Sequence, residues 1–185
     1  PAKQTKAAPA FKKYSEIVDV DFVKQYVKVP MSKDVMIIDS RPTRKKYDIG
    51  HIPMAVNIPD SQFDKYKHLL PENKNTLLIF YCQGPTWSLS HKSAWKAEKL
   101  GYTNIKNFAG GYPAWLKVKG QYGSVSPAFM KSQINKNADM VVVDSRPKRK
   151  KYDKGHIPTA LSIPDSQFKK FTNQLPADKS KLLVF

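Results

Sequence analysis

Cysteine is nearly absent. The 185 residues contain one, Cys82, which excludes an intrachain disulfide and leaves the redox compartment open. Long apolar runs are missing too: no stretch approaches the ~20 residues that span a bilayer, so no transmembrane segment is expected. No Cys/His spacing suits a zinc site, and neither a metal nor another cofactor is expected. Acidic residues are scarce, 15 Asp and Glu against 32 Lys and Arg, for a formal net charge of +17. Such a balance favours polyanions, acidic proteins or anionic head groups. The basic residues are spread along the chain, without a helix-turn-helix, zinc-finger or aromatic RNA-binding signature, so nucleic acid is not an expected partner. The sequence begins at Pro1 with no signal-peptide core, which fits a removed leader or an excised piece.

What is present argues for a core: 41% of residues are hydrophobic and 11% aromatic. The stretch that organises the chain is Phe80-Tyr81-Cys82-Gln83-Gly84-Pro85-Thr86-Trp87-Ser88. Before it, Thr76 to Tyr81 has the length and the β-branched and aromatic character of a buried strand. After it a helical pattern starts near Ser88, placing Ser90, Ala94, Ala97 and Leu100 on one face, with Gly101 positioned to end the helix. A cysteine between the carboxyl end of a parallel strand and a helix amino terminus stands where open α/β sheets bind ligands. Turn N–H groups and the helix dipole favour a thiolate there. A buried structural cysteine is the other reading, and position alone leaves both open.

The rest of the chain alternates strand and helix. Residues 1–13 are basic and aperiodic, and are expected to form a flexible arm. A short extended piece follows from Tyr14, then a helix to about Val27 with Asp21 as its expected N-cap. Val35 to Asp39 is a continuous apolar run of the central-strand kind. After a short basic helix with Arg44, Lys45, Lys46 and Tyr47, the Gly50-His51-Ile52-Pro53 turn leads into a strand over 55–58. Asp60 is the expected cap of the next helix. Asn104 to Phe108 forms the last strand, and a closing helix opens near Pro113. This alternation predicts an α/β fold, a parallel sheet with helices on both faces.

The chain also repeats itself. Residues 35–80 align with 140–185 without a gap, and more than half of the aligned positions are identical. Asp39-Ser40-Arg41-Pro42 returns as Asp144-Ser145-Arg146-Pro147, and Gly50-His51-Ile52-Pro53 as Gly155-His156-Ile157-Pro158. One complete unit over 14–120 and a partial second unit over 121–185, without a cysteine loop, are expected. A half-sheet is a poor independent domain, so the sequence reads as cut short after Phe185.

Several of these residues together resemble the rhodanese homology family. They are Asp39-Ser40-Arg41, the run Tyr47-x-x-Gly50-His51-Ile52-Pro53-x-Ala55-x-Asn57-Ile58-Pro59, the strand-ending Cys82, Gly101-Tyr102, and Gly110-Gly111-Tyr112-Pro113-Ala114-Trp115. The resemblance covers 14–120 completely and 121–185 in part. It implies a rhodanese-like sheet and sulfurtransferase chemistry in a tandem-domain protein. Cys82 would take a sulfane sulfur as a persulfide and pass it to a thiophilic acceptor such as cyanide or a thiol. Residue chemistry agrees. An ionised, accessible thiolate attacks sulfur–sulfur bonds, persulfidation is reversible, and the loop of Gln83, Gly84, Pro85, Thr86, Trp87 and Ser88 can aim N–H donors at an anionic sulfur.

The loop departs from the family in charge. Where relatives often carry an arginine, this chain has Gln83 or Trp87, and the loop holds no charged side chain. Trp87 therefore points to polysulfide or persulfide donors over thiosulfate. A phosphatase of related fold needs Cys-x5-Arg, and the corresponding residue here is Ser88, which argues against that activity. The alternative function is a non-catalytic sulfur-carrier or protein-docking module, to be told apart by the exposure and reactivity of Cys82. His51 and His156 read as satisfied turn residues, Asp39 and Asp144 as anchors of their strand ends, and Trp95 and Trp115 as packing residues. The duplicated Arg44-Lys45-Lys46 and Arg149-Lys150-Lys151 runs read as solvated faces, with an acidic redox protein as a possible partner. The basic arm fits an exported, periplasmic protein, and the single cysteine fits the cytoplasm as well.

Overall fold

The computed structural model describes residues 11–185. The first ten residues of the expected arm lie outside the described residues. The next three are placed: the Phe11 ring is 5.1 Å from the His91 ring, and Lys12 Nζ stands 4.1 Å above the Trp95 ring.

The chain divides into two compact units, Pro1–Phe129 and Met130–Phe185. Among its described residues the first carries five parallel strands, β1 (Ile17–Val18), β2 (Val35–Asp39), β3 (Val56–Asn57), β4 (Leu77–Tyr81) and β5 (Ile105–Phe108), in the order β1-β5-β4-β2-β3. The cysteine strand β4 is central and all five of its residues are buried. Leu78 and Phe80 enter one core with Ile38, Ala94, Ala97 and Ile105, while Leu77, Ile79 and Tyr81 enter the other with Ile37, Ile52 and Trp115. A strand covered on both faces must be apolar throughout, which is why it reads as an unbroken run. Each fully buried Leu, Ile or Phe contributes about 1.5–3 kcal/mol.

Helix α1 (Val20–Lys24) precedes β2. Its cap is Asp19, not Asp21: Asp19 is extended and accepts from Phe22 N at 2.9 Å, while Asp21 lies in the first turn and pairs with Lys24. Residues 43–47 form one wide turn closed by i→i+5 bonds, Tyr47 N to Pro42 O and Asp48 N to Thr43 O. Asp60 does not cap α2 (Phe63–Tyr66). Its carboxylate accepts from Ser93 Oγ at 3.2 Å and Lys96 Nζ at 2.8 Å, which ties the segment to α3 (Leu89–Lys99). The expected strand over 55–58 narrows to Val56–Asn57.

Helix α3 buries Ser90, Ala94 and Ala97 as its spacing requires, but Leu100 is 38% exposed. The reason is the helix end. Gly101, at φ +87°, donates to Glu98 O and Tyr102 N donates to Ala97 O, so the chain reverses and Leu100 leaves the buried stripe. Helix α4 (Gly111–Leu116) closes the sheet, and α5 (Pro127–Asn135) contains the boundary between the units.

The second unit repeats the central pattern. Strands β6 (Met140–Asp144), β7 (Leu161–Ser162) and β8 (Leu182–Val184) pair in parallel in the order β7-β6-β8. Asp144 is level with Ser162 as Asp39 is level with Asn57. A short helix α6 (Phe168–Phe171) corresponds to α2.

Candidate active site

Cys82 is the first residue beyond β4, at the carboxyl edge of the sheet. Its carbonyl accepts from Tyr112 N at 3.0 Å, which fastens the start of α4 to the cysteine. That approach depends on Gly111. At φ +64° it lies in the left-handed region, and a Cβ there would collide with the Cys82 carbonyl and with Gly84 N.

The thiol itself is covered. Cys82 is 0% exposed, against the expectation of an accessible cysteine. Loop 83–88 folds over it, with the Trp87 N–H donating to Gly84 O at 3.0 Å to close a tight turn. Sγ lies 3.6 Å from Trp87 O and 3.8 Å from Gly84 O, within reach of two carbonyl oxygens. From the other side Ser90 Oγ donates to Sγ at 3.2 Å. The N–H groups of Gln83, Gly84, Thr86 and Ser88 make no hydrogen bond among the described residues. Pro85 and Thr86 are exposed, and Trp87 is 40% exposed at the rim.

Gln83 turns inward. Its Oε1 accepts from Arg41 Nη1 at 3.2 Å, a contact across 42 residues that the sequence pattern does not signal. Arg41 is 1% exposed, and its Nε and Nη2 donate to both oxygens of Asp39, itself fully buried. Nη2 also donates to Gly50 O at 2.7 Å, and the Tyr112 ring lies 4.7 Å from the guanidinium carbon. Burial works against the Arg41 charge, but hydrogen bonding and attraction to Asp39 outweigh it and hold the guanidinium charged. Tyr81 completes the cluster. Burial, then the Asp39 charge, pushes its phenol well above the ordinary range, so the neutral hydroxyl donates to Asp39 Oδ2 at 2.7 Å. The cation beneath the loop is thus already neutralised by its own carboxylate.

The remaining marked residues are structural. His51 Nδ1 lies 2.8 Å from Tyr47 O with its ring stacked at 3.8 Å on Tyr47, and His156 repeats this on Tyr152 at 3.0 and 3.8 Å. Burial lowers the His51 pKa, and burial with the nearby Lys13 charge lowers that of His91. Trp115 is buried and donates to Tyr122 O, and Trp95 packs its ring on Tyr14. Arg44 and Lys45 are exposed, as are Arg149, Lys150 and Lys151. Among the described residues no three His, Cys, Asp or Glu side chains cluster as metal ligands do, and no helix is long and apolar enough to cross a membrane.

The family model of the rhodanese-like domain matches residues 8–118 and 126–185. The chain belongs to the rhodanese-like domain family. Among relatives of this rhodanese-like chain is the thiosulfate sulfurtransferase/rhodanese-like domain-containing protein 3 of Mus musculus. It is 31% identical over 97 residues, 46% of this chain and 60% of the mouse protein, so the match spans less than two thirds of that relative. The thiosulfate:glutathione sulfurtransferase of Homo sapiens is 31% identical over 87 residues, covering 40% of this chain and 74% of the human protein. The BH2092 protein of Bacillus halodurans superposes with a TM-score of 0.51 at 27% identity, over 60% of this chain and 77% of that one. The thiosulfate sulfurtransferase of Pseudomonas aeruginosa shares the fold, with a TM-score of 0.50 at 17% identity over 88% of this chain and 34% of its own.

Proposed function

We propose that this rhodanese-like chain is a sulfurtransferase that moves sulfane sulfur through a Cys82 persulfide. The observation that carries the reading is the placement of Cys82, at the carboxyl end of the central strand beneath a loop whose N–H groups at Gln83, Gly84, Thr86 and Ser88 make no hydrogen bond among the described residues. In loading, the Cys82 thiolate attacks a terminal sulfur of a polysulfide. A new S–S bond forms, the donor S–S bond breaks, and its electron pair leaves on a polysulfide one sulfur shorter. The N–H groups take the charge of the outer sulfur, as backbone nests hold anions. Because the thiol is buried, loop 83–88 opens for each exchange.

Polysulfide or persulfide is the favoured donor. Thiosulfate is a strongly hydrated dianion whose burial is costly without fixed charge. Arg41, the cation beneath the loop, is committed to Asp39, and Trp87 offers the rim an indole face instead of a charge. A thiol or cyanide is the acceptor class. An acidic redox protein docking on Arg44 and Lys45 is the partner consistent with the charge.

One observation favours a second reading, a non-catalytic carrier or docking module: Cys82 has no exposed surface. Mass spectrometry after incubation with polysulfide or thiosulfate separates the two. The enzyme reading requires a gain of one or more sulfur atoms that Cys82→Ser abolishes. No gain with either donor supports the docking module.

A further inference from the structure

Asn107 is the buried polar residue that β5 contributes to the layer beneath α3. Asn107 is fully buried, level with Phe80 in the parallel ladder, and so shares the face that Phe80 presents to α3. Its Oδ1 is 3.3 Å from Ser90 Oγ, and its Nδ2 is buried with no hydrogen-bond partner among the described residues. Ser90 is also fully buried, and its Oγ is 3.2 Å from Cys82 Sγ. Two features of this arrangement conflict. A serine hydroxyl has one proton and cannot donate to both Sγ and Asn107 Oδ1. An amide NH2 without an acceptor in an apolar layer costs free energy that a leucine or valine would not.

Exchanging the amide oxygen and nitrogen of Asn107, which differ little in size, removes the conflict. The NH2 then donates to a Ser90 lone pair, and the Ser90 proton is committed to sulfur. The polar atom left over becomes a carbonyl, the less costly orphan. We infer that Asn107, Ser90 and Cys82 form a one-way hydrogen-bond relay that presents a fixed hydroxyl donor to Sγ from the side opposite the loop. Ser90 touches the reacting atom. Asn107 acts through Ser90 and is a positioning residue.

The relay's kinetic consequence rests on the sulfurtransferase reading. In discharge the outer sulfur of the persulfide takes a proton from solvent as the loop opens, and an acceptor thiolate then attacks that sulfur. A new S–S bond forms, the bond from Sγ to the outer sulfur breaks, and its electron pair goes to Sγ, which leaves as a thiolate. Negative charge therefore grows on Sγ in discharge, where a preorganised donor accelerates the step. In loading the charge leaves Sγ, and the same donor gives up nucleophilicity for a larger thiolate population. Discharge is the step that needs Ser90.

The test compares wild type, Ser90→Ala, Asn107→Ala and the double variant, with Cys82→Ser as blank. The first readout is thiolate ultraviolet absorbance against pH, which needs neither sulfur donor nor access to the thiol. Ser90→Ala lowers the thiolate population about tenfold at a pH where wild type is partly ionised, the worth of one hydrogen bond to a charged group. Asn107→Ala lowers it in the Ser90 background and has no effect once Ser90 is alanine, a non-additivity that general loosening of the core does not produce. The second readout is single-turnover kinetics, in which Ser90→Ala slows discharge about 10-fold or more and loading much less. An unchanged absorbance profile in Ser90→Ala overturns the relay, and equal effects of Asn107→Ala in both backgrounds overturn the role of Asn107. If Asn107→Ala does not fold, the Asn107 side-chain NH2 resonances decide. They must shift between wild type and Ser90→Ala, and a static signal refutes the relay. Failure of wild type to take up sulfur refutes the sulfurtransferase reading instead, and the absorbance arm still judges the relay.

Discussion

The repeat supplies its own control for the energetics of the site. Asp39 and Asp144 make the same fork of hydrogen bonds, Asp39 to Arg41 and Asp144 to Arg146, and both arginines reach a glycine carbonyl, Gly50 or Gly155. Their surroundings differ. The Arg41 side chain is sealed beneath Tyr112 and Gln83, whereas that of Arg146 is half exposed. Replacing Asp39 by alanine leaves a guanidinium buried with only Gly50 O and Gln83 Oε1, and deprives the Tyr81 hydroxyl of its acceptor. Breaking a buried pair from one side costs about 3–5 kcal/mol. Against a total stability of roughly 5–15 kcal/mol this is a large fraction. With a urea slope of about 1–3 kcal/mol per M, the unfolding midpoint falls by about 1 M or more. All three tryptophans, Trp87, Trp95 and Trp115, lie in the first unit, so fluorescence follows its unfolding and circular dichroism follows both units. Asp144→Ala, whose partner is solvated, leaves both midpoints nearly unchanged. Equal midpoint shifts for the two variants would refute the reasoning that burial, not the motif, sets the worth of the pair.

Gly111→Ala places a Cβ against the Cys82 carbonyl at φ +64°, which costs at least about 1–2 kcal/mol of left-handed strain. It should lower the melting temperature and reduce sulfur loading together. Acid weakens the first unit because His51 and His91 are held neutral. Their contribution is full above about pH 6.5, the ordinary histidine value, and declines as the pH falls towards their lowered values, where the unfolded chain binds more protons. Protonating His91 also removes the Nδ1 acceptor that holds Tyr14 N at 3.0 Å, so His91→Gln should flatten the pH dependence of the urea midpoint. Trp87→Arg supplies the rim with an uncommitted cation. It should raise kcat/KM for thiosulfate relative to polysulfide while Cys82 still loads, and a wild type already better with thiosulfate contradicts the argument from Trp87.

The central strand, the cysteine at its end, the helix after it and the repeat were legible because each is written in consecutive residues. An apolar run ends on Cys82, a period of 3.6 follows, and a segment recurs with more than half of its positions identical. Contacts that depend on the folded sheet were not. Arg41 meets Gln83 only because β2 and β4 are neighbours, and Ser90 meets Asn107 only because α3 packs on β5. In the α3 pattern Ser90 reads as one small residue of the buried face, with nothing to show that its hydroxyl is aimed at sulfur. Caps failed where two acidic residues compete. Asp19 and Asp21 both precede an apolar stretch, and backbone conformation chose the extended one. Asp60 stands at a helix start but spends its carboxylate on Ser93 and Lys96 of α3. Burial of Cys82 follows from the Gly84–Trp87 turn, whose closure over the sulfur has no signature in the residue types alone.

Whether Cys82 carries sulfur from a donor to an acceptor is decided by a single-turnover transfer. Protein loaded with isotopically labelled polysulfide is separated from the donor and given a thiol acceptor, and both are weighed by mass spectrometry. Sulfur transfer through Cys82 requires that the label leave the protein, appear on the acceptor as a persulfide and return Cys82 to its thiol mass, with no transfer in Cys82→Ser. Label that never binds, that stays on the protein in the presence of acceptor, or that moves equally well in Cys82→Ser would contradict it.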